Sequence, residues 1–238
     1  MPAPHLRLLN YLLLLVEKRR ITRLMITLAP RHGKSELISK YFPAYYLCKH
    51  PTERVILASY EAEFASEWGR KVRDIIDDDG KRLFGISLRQ DSKAADHWTI
   101  KEHNGGMQTC GVGGALTGKG SDILIIDDPF KNAEEANSEL IREKKFEWFT
   151  TAAYTRLEPN GAIILVNTRW HEADISGRLL QAMAEGGEQW TLLHLPALHD
   201  GPDVWAKLTL PSDEAARQAI SEGDRFPSLD AYFHSVGQ

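Results

Sequence analysis

Apolar residues occur along the chain in short runs, which alternate with longer stretches where they recur every three or four positions. The short runs cover residues 24–28, where only Thr27 is polar, and the unbroken stretches 55–58, 123–126 and 162–166. Such runs are typical of strands buried on both faces, and the longer stretches are typical of amphipathic helices. The alternation therefore predicts an α/β fold, with a mostly parallel sheet that is covered by helices on both faces.

The same pattern predicts helices and a division of the chain into two parts. The predicted helices cover residues 6–16, 35–47, 61–76 and 133–148, and a further helix ends near Ala184. After residue 186 the periodic runs fade, and proline, aspartate and glycine become more frequent. We therefore predict a core over residues 1–195 and a small C-terminal linker or lid over residues 196–238.

Two segments are predicted to be less regular than the rest. Residues 77–121 have little periodicity and offer strand candidates at 98–100 and 107–110. The sequence Pro-Asn-Gly at residues 159–161 predicts a turn over 156–161, because these residue types favour turn conformations.

Composition and charge exclude some classes of protein. The chain has 238 residues, of which 42% are hydrophobic and 26% charged, with a formal net charge of −4. DNA contacts would therefore have to come from local basic patches. Cys48 and Cys110 lack the spacing of a zinc site or a disulfide scaffold. The apolar run at 12–16 is far shorter than the about 20 residues that span a membrane, so we expect no membrane association.

A phosphate-binding sequence follows the first apolar run. Gly33, Lys34 and Ser35 stand between a predicted strand and a predicted helix. Backbone N–H groups at a helix N-terminus donate to phosphate oxygens, the lysine ammonium reaches the β- and γ-phosphates, and the serine hydroxyl helps hold Mg²⁺. Leu28 occupies the position where the full consensus has a glycine, so the prediction of a nucleotide site depends on this strand-to-helix context.

A second glycine-lysine spacing matches the consensus more literally. Gly113, Gly118 and Lys119 are followed by Gly120 instead of serine or threonine, so the hydroxyl that would bind the metal is missing. The segment also leads into a predicted strand and not into a helix. We therefore predict that it is a flexible turn.

Two acidic residues follow the apolar run at 123–126. Asp127 is positioned to hold Mg²⁺ through its water shell, and Asp128 to orient or polarise the attacking water. Carboxylates at the end of a buried strand also cap turns, and Pro129 follows directly. The pairing with Lys34 upstream favours the nucleotide site, and we expect these groups to meet around one Mg-bound triphosphate.

Taken together, three segments resemble the large terminase subunit of tailed bacteriophages. They are residues 29–36 (Ala-Pro-Arg-His-Gly-Lys-Ser-Glu), 111–129 (ending in Ile-Ile-Asp-Asp-Pro) and 167–174 (Asn-Thr-Arg-Trp-His-Glu-Ala-Asp). The resemblance covers roughly residues 5–195. It implies an additional-strand, RecA-like P-loop ATPase that uses ATP and Mg²⁺ to drive double-stranded DNA through a portal. It further implies a ring of subunits, a small terminase subunit as partner, and action in the host cytoplasm on a viral procapsid.

The resemblance also implies roles for individual residues. The phosphate loop would comprise Pro30, Arg31, His32, Gly33, Lys34, Ser35 and Glu36, with Lys34, Arg31 and Asp128 in catalysis and Ser35 and Asp127 on the metal. Asn167 and Thr168 look like the segment that couples hydrolysis to DNA movement. The candidates for a basic side chain that acts on a neighbouring subunit's nucleotide are Lys119, Arg142, Arg156 and Arg169.

Relatives in this family continue into an RNase H-like nuclease domain, whereas this sequence stops at Gln238. We therefore expect no nuclease activity from this chain. The sequence leaves other functions open: a helicase-like or remodelling ATPase, a small-molecule kinase with a mobile lid, or a nucleotide-binding remnant that does not hydrolyse ATP.

Overall fold

The computed structural model describes residues 3–116, 118, 120–195 and 207–209. Within these residues nine strands form one sheet. The strands are β1 (Arg23–Leu28), β2 (Arg54–Ser59), β3 (Leu88–Lys93), β4 (His97–Ile100), β5 (Gly106–Gly111), β6 (Ser121–Asp127), β7 (Leu157–Asn167), β8 (Thr191–Leu195) and β9 (Lys207–Thr209). The α-helices are α1 (Pro4–Glu17), α2 (Phe42–Lys49), α3 (Ala62–Ile75), α4 (Lys81–Phe84), α5 (Ala133–Asn137), α6 (Glu139–Trp148) and α7 (Ile175–Ala184).

The strand order is β3-β4-β5-β2-β6-β7-β1-β8-β9. The six strands from β5 to β8 in this order run parallel, and antiparallel pairs extend both edges. Strand β7 lies between β1, which leads into the predicted phosphate loop, and β6, which ends at Asp127. The predicted mostly parallel α/β sheet is confirmed, and β7 is the additional strand that the P-loop fold class implied.

Helices cover both faces of the sheet, as predicted. Along β6, Ile123 and Ile125 point into a core that also contains side chains of α1, α2 and α3. Leu124 and Ile126 point to the other face, where residues of α6 and α7 cover them. Each of these four side chains is fully buried. Burying such a side chain stabilises the fold by roughly 1.5–3 kcal/mol, so the apolar runs fix the order of the layers.

The predicted helix over residues 133–148 is wrong as a single element. Ser138 has an extended backbone (φ −75°, ψ 114°) and separates α5 from α6. Its hydroxyl accepts a hydrogen bond from the backbone N–H of Ile141 and so caps α6. A serine that caps a helix in this way stabilises a new helix start, which here interrupts an otherwise helical sequence.

The predicted turn over residues 156–161 is also wrong, because β7 begins at Leu157 and continues through it. Ser121 pairs with Leu157 and Ile123 with Ala162, so one residue of β6 faces four of β7. Asn160 has a φ of 65° within this irregularity. The turn-forming residues therefore produce a bulge inside a strand.

The remaining elements differ less from expectation. The strand candidates at 98–100 and 107–110 lie within β4 and β5, whereas β3, a polar edge strand, was not predicted. The helix expected over 35–47 begins with a π-helical segment (Glu36–Tyr41) and continues as α2 to Lys49.

The sheet includes one short strand from beyond residue 195. Strand β9 lies within the predicted linker and pairs with β8 at the edge of the sheet. The other residues of that linker, 196–206 and 210–238, lie outside the described residues. Across the described parts of the chain, no helix combines the length and the apolar character needed to cross a membrane.

Replacing Gly69 by alanine tests the packing of α3 against β5. A Cβ at this position would lie 2.4 Å from the carbonyl oxygen of Ala95, between β3 and β4, and 2.9 Å from Thr109 Cγ2 on β5, so α3 would have to move away from both. Alanine is favoured over glycine in helices by about 1 kcal/mol. We nevertheless expect Gly69→Ala to lower the free energy of unfolding by about 1–3 kcal/mol, measured by urea titration.

The control for this substitution is Glu67→Ala, at an exposed position of the same helix. It should change the free energy of unfolding by no more than about 0.5 kcal/mol. A Gly69→Ala protein as stable as the parent would contradict the close packing of α3.

Candidate functional site

The predicted phosphate loop lies at the carboxyl end of β1. It runs from Leu28 to the helical segment that begins at Glu36. Arg31 (φ 64°) and Gly33 (φ 78°) both have left-handed backbone conformations, which turn the loop sharply. A Cβ at Gly33 would lie 3.3 Å from Leu6 Cδ2, so α1 packs directly on the loop. Glycine at this position is therefore favoured by its left-handed conformation, and a larger residue would also press on Leu6.

Two histidines hold the outer part of the loop. His32 Nδ1 is 2.8 Å from the carbonyl oxygen of Pro30, and His5 Nε2 is 3.0 Å from the carbonyl oxygen of His32. Pro30, Arg31 and His32 are exposed. Glu36, which was also assigned to the loop, forms an ion pair with Lys40 at 2.9 Å.

Lys34 joins the loop to the ends of two neighbouring strands. Its ammonium donates to Asp128 Oδ1 at 2.9 Å and to Thr168 Oγ1 at 2.7 Å, and the residue is only 5% exposed. Asp128 follows β6 and Thr168 follows β7. The sequence-predicted lysine, acidic residue and coupling threonine therefore meet at one edge of the sheet.

Asp127 is fully buried at the end of β6 and is held by serine hydroxyls. Ser35 Oγ donates to Oδ1 at 3.2 Å, and Ser39 Oγ donates to Oδ2 at 2.7 Å. Burial, followed by repulsion from Asp128, raises the pKa of the Asp127 carboxyl to about 6, although both hydroxyls act in the opposite direction. The negative charge of Asp127 is therefore costly in the absence of a cation.

The chemistry of these groups suits Mg²⁺. Ser35 Oγ and Asp127 Oδ1 are hard oxygen ligands that lie side by side at the start of the helix after the phosphate loop. The ammonium of Lys34 makes its ion pair with Asp128 and not with Asp127. A divalent cation next to Ser35 would offset the buried charge of Asp127, so the residues fit the metal.

Asp128 has a different environment from its neighbour. Its side chain is 30% exposed, and its φ of 46° is unusual for a residue other than glycine. The backbone is held from both sides, because its N–H donates to Val166 O at 2.8 Å and its carbonyl accepts from the N–H of Tyr60 at 3.2 Å. The N–H of Thr168 donates to Asp128 Oδ1 at 2.8 Å. Asp128 is therefore fixed in position while its carboxylate reaches solvent.

Asn167 connects the site to α7 through buried polar groups. Its side-chain amide donates to Asp174 Oδ2 at 3.3 Å, and its side-chain oxygen accepts from Ser176 Oγ at 3.1 Å. Asp174 caps α7 by accepting from the N–H of Gly177 at 2.8 Å. Asn167, Asp174 and Ser176 are each at most 1% exposed. The N-terminus of α7 is thus tied to the strand end that precedes Thr168.

The candidate basic residues lie in different places. Arg169 donates to Asp174 at 2.8 Å and to two carbonyl oxygens of its own loop. Arg142 on α6 donates to the carbonyl oxygen of Ala136 at 2.7 Å. Arg156 precedes β7, at the end of that strand remote from Asn167. Lys119 lies outside the described residues.

The competing glycine-lysine segment lies between β5 and β6. Gly113 and Gly118 both have a φ of 94°, and the carbonyl oxygen of Gly114 accepts a hydrogen bond from Trp148 Nε1 at 2.8 Å. The segment is followed by β6 and not by a helix. Its position agrees with the predicted turn.

Sequence reasoning missed two buried serines that contact Asp127. Ser39 follows Ser35 by four residues, which places both on one face of a helical segment. Ser59 pairs in register with Asp127 and donates to its carbonyl oxygen at 2.6 Å. The helical spacing of Ser35 and Ser39 is a signal in the sequence, whereas the contact of Ser59 depends on strand order.

Comparison with solved structures finds a similarity to the crystal structure of the HK97 bacteriophage large terminase. The TM-score is 0.48 with 16% sequence identity, over 89% of this chain and 45% of that chain. This chain thus spans slightly less than half the length of that terminase. No curated protein matches the sequence.

Comparison with protein families gives a match over most of the chain. The model described as the N-terminal part of the terminase large subunit, T4likevirus-type, matches residues 25–232. This range includes Lys34, Asp127, Asp128 and Thr168. The matched region corresponds to the N-terminal part of those subunits. The chain therefore belongs to the family of T4likevirus-type terminase large subunits.

Proposed function

We propose that this chain hydrolyses ATP and that hydrolysis drives double-stranded DNA into a viral procapsid. The observation that carries the proposal is the convergence of Lys34, the Ser35–Asp127 pair and Asp128 at one edge of the sheet. Membership in the large terminase family supports DNA as the substrate that is moved.

Lys34 and the loop around it would bind the triphosphate. The first N–H groups of the helix after the loop lack partners four residues earlier and can donate to phosphate oxygens. Lys34 would exchange Asp128 and Thr168 for oxygens of the β- and γ-phosphates. Arg31, which is exposed in the same loop, would contact the γ-phosphate.

Ser35 and Asp127 would hold the metal. When bound, Mg²⁺ would neutralise negative charge that develops on the phosphate groups during phosphoryl transfer. Ser35 would offer an oxygen lone pair to the cation while its hydroxyl hydrogen stays directed at Asp127 Oδ1. Asp127 would thereby act on the water shell of the metal.

Asp128 would orient the attacking water. As Lys34 turns to the phosphates, Asp128 loses an ammonium partner and its carboxylate becomes available to accept a hydrogen bond from water. Its fixed backbone and partial exposure suit this role. Water aligned by this carboxylate would attack the γ-phosphorus in line with the leaving oxygen.

Asn167 and Thr168 would couple hydrolysis to movement of DNA. The hydroxyl of Thr168 contacts Lys34 directly, and Asn167 is bonded to the groups that start α7. Departure of Lys34 from Thr168 would therefore change the end of β7 and, through Asn167, the position of α7.

The active assembly would be a ring in the host cytoplasm, docked on the portal of a procapsid with the small terminase subunit. A basic side chain from a neighbouring subunit would complete the charge around the phosphates, with an effect on the rate of about 10³–10⁵. Arg142, Arg156, Arg169 and Lys119 remain the candidates for this role.

Removing the lysine ammonium tests the nucleotide site. We expect Lys34→Ala to lower the rate of phosphate release from ATP by about 10²–10³, because a charge directed at the transferred group is lost. Lys40→Ala is the matched control, since Lys40 lies in the helical segment that follows the loop and pairs with Glu36 on the surface. Equal rates for Lys34→Ala and the parent would dispose of the proposed function.

Neutralising Asp127 tests the cost of its buried charge. Its pKa is raised to about 6 in the folded protein from 3.8, so the folded state binds a proton more readily than the unfolded state. The penalty is present above about pH 6 and disappears as the pH falls towards 4. We expect Asp127→Asn to abolish hydrolysis in buffer that contains Mg²⁺, and to raise Tm by about 4–8 °C in Mg²⁺-free buffer at pH 8.

This gain in Tm should stay nearly constant from pH 8 down to about pH 6 and should shrink as the pH falls from there towards about 4. Asp78→Asn, at an exposed carboxylate, serves as the control and should leave Tm unchanged over the same range. If the Tm of Asp127→Asn were below that of the parent at pH 8, the charge of Asp127 would not destabilise the cation-free protein, and the prediction would be wrong.

The response of turnover to added substrates tests the coupling to DNA. We expect phosphate release by the assembled protein to rise with the concentration of duplex DNA, and this effect to weaken as salt is added. Small hydroxyl compounds should leave the rate unchanged and should not become phosphorylated. Stimulation by a hydroxyl acceptor without any response to DNA would instead indicate a kinase.

A further inference from the structure

We propose that Ser39 is a positioning residue for the metal site: it anchors Oδ2 of Asp127 so that Oδ1 stays directed at Ser35 and the cation. The inference rests on the proposed function, because it concerns how the same carboxylate is presented to Mg²⁺. It adds a residue outside the phosphate loop to the groups on which metal binding depends.

The geometry gives each oxygen of Asp127 its own serine. Ser35 and Ser39 lie four residues apart, on one face of the helical segment after the loop, and donate to Oδ1 and Oδ2 respectively. Two donors from one rigid segment fix both the position and the rotation of the carboxylate plane. A single donor would leave that rotation free, because the terminal torsion of aspartate has a broad energy minimum.

The two hydrogen bonds differ in length. Ser39 Oγ lies 2.7 Å from Oδ2, whereas Ser35 Oγ lies 3.2 Å from Oδ1. The shorter bond has the length of a strong hydrogen bond to a charged acceptor, and the longer one is weaker. Ser39 therefore holds the carboxylate. The hydroxyl of Ser35, whose hydrogen bond is longer and weaker, can turn a lone pair towards a cation.

Burial makes the bond from Ser39 difficult to replace. Ser39 and Asp127 are both 0% exposed, so bulk water does not reach the pair. Loss of the hydroxyl would leave a charged oxygen without this donor in the interior, and rotation towards another donor would take Oδ1 away from Ser35. Removing a group that orients a carboxylate of a metal site typically lowers metal affinity by about 10–100-fold.

Ser59 provides a matched control within the same site. It is also 0% exposed and also donates to Asp127, but to the backbone carbonyl oxygen, at 2.6 Å. Ser59→Ala and Ser39→Ala therefore remove the same chemical group at equal burial. Only Ser39→Ala removes a contact of the carboxylate.

The experiment measures binding of a fluorescent, non-hydrolysable ATP analogue by the full chain as Mg²⁺ is titrated. We expect Ser39→Ala to raise the Mg²⁺ concentration for half-maximal binding by about tenfold or more, with unchanged analogue affinity in EDTA. Ser59→Ala should lower Tm but keep the Mg²⁺ dependence of the parent. Ser39→Cys, which keeps the shape and a weak donor, should give a smaller shift and replaces the alanine variant if that variant does not fold.

The outcomes separate this inference from the proposed function. If the parent binds the analogue with no response to Mg²⁺, the proposed metal site fails and the inference fails with it. If the parent responds and both Ser39 variants require the same Mg²⁺ concentration, the inference alone is overturned. An equal shift in Ser59→Ala would also overturn it, because the effect would then come from packing and not from the carboxylate.

Discussion

Repulsion between the neighbouring carboxylates of Asp127 and Asp128 is the constraint around which the site is organised. Asp128 is partly exposed and pairs with the ammonium of Lys34, whereas Asp127 is buried among hydroxyl groups. The partner of Asp128 comes from the loop after β1, and the partners of Asp127 come from that loop and from the helical segment that follows it. The positions of β1 and β6 relative to each other are thus fixed by charge as well as by packing.

The parallel sheet makes this meeting possible. Carboxyl ends of parallel strands share one edge, so side chains far apart in sequence arrive together there. The aliphatic residues of β1, β6 and β7 form the interior of the sheet, and polar residues begin where these strands end. Burial of apolar side chains therefore stabilises the packing of the helices on the sheet. The polar groups at the edge of the sheet can then be arranged for binding or catalysis.

The sequence was sufficient to predict the convergence of Lys34, Asp127 and Asp128, since buried strands and a strand-to-helix loop leave few alternatives. It was not sufficient where the outcome depends on tertiary contacts. The Pro-Asn-Gly sequence at 159–161 encodes a local bend, but whether a strand continues past it depends on pairing with β6. Likewise, Ser138 can cap a helix or lie within one, and the partners of Ser39 and Ser59 become evident only once β6 is in place.

Strand β7 lies between β1, which leads into the loop with Lys34 and Ser35, and β6, which ends at Asp127. Its ladders with β1 and β6 place those strands about 10 Å apart, a gap that the long side chain of Lys34 crosses at the carboxyl edge. Because β7 pairs with both strands, a displacement of its carboxyl end would move the loop after β1 and the aspartates at the end of β6 at the same time. Strand β7 therefore sets the distances of both β1 and β6 from itself, and a shift of β7 at the carboxyl edge changes both distances together.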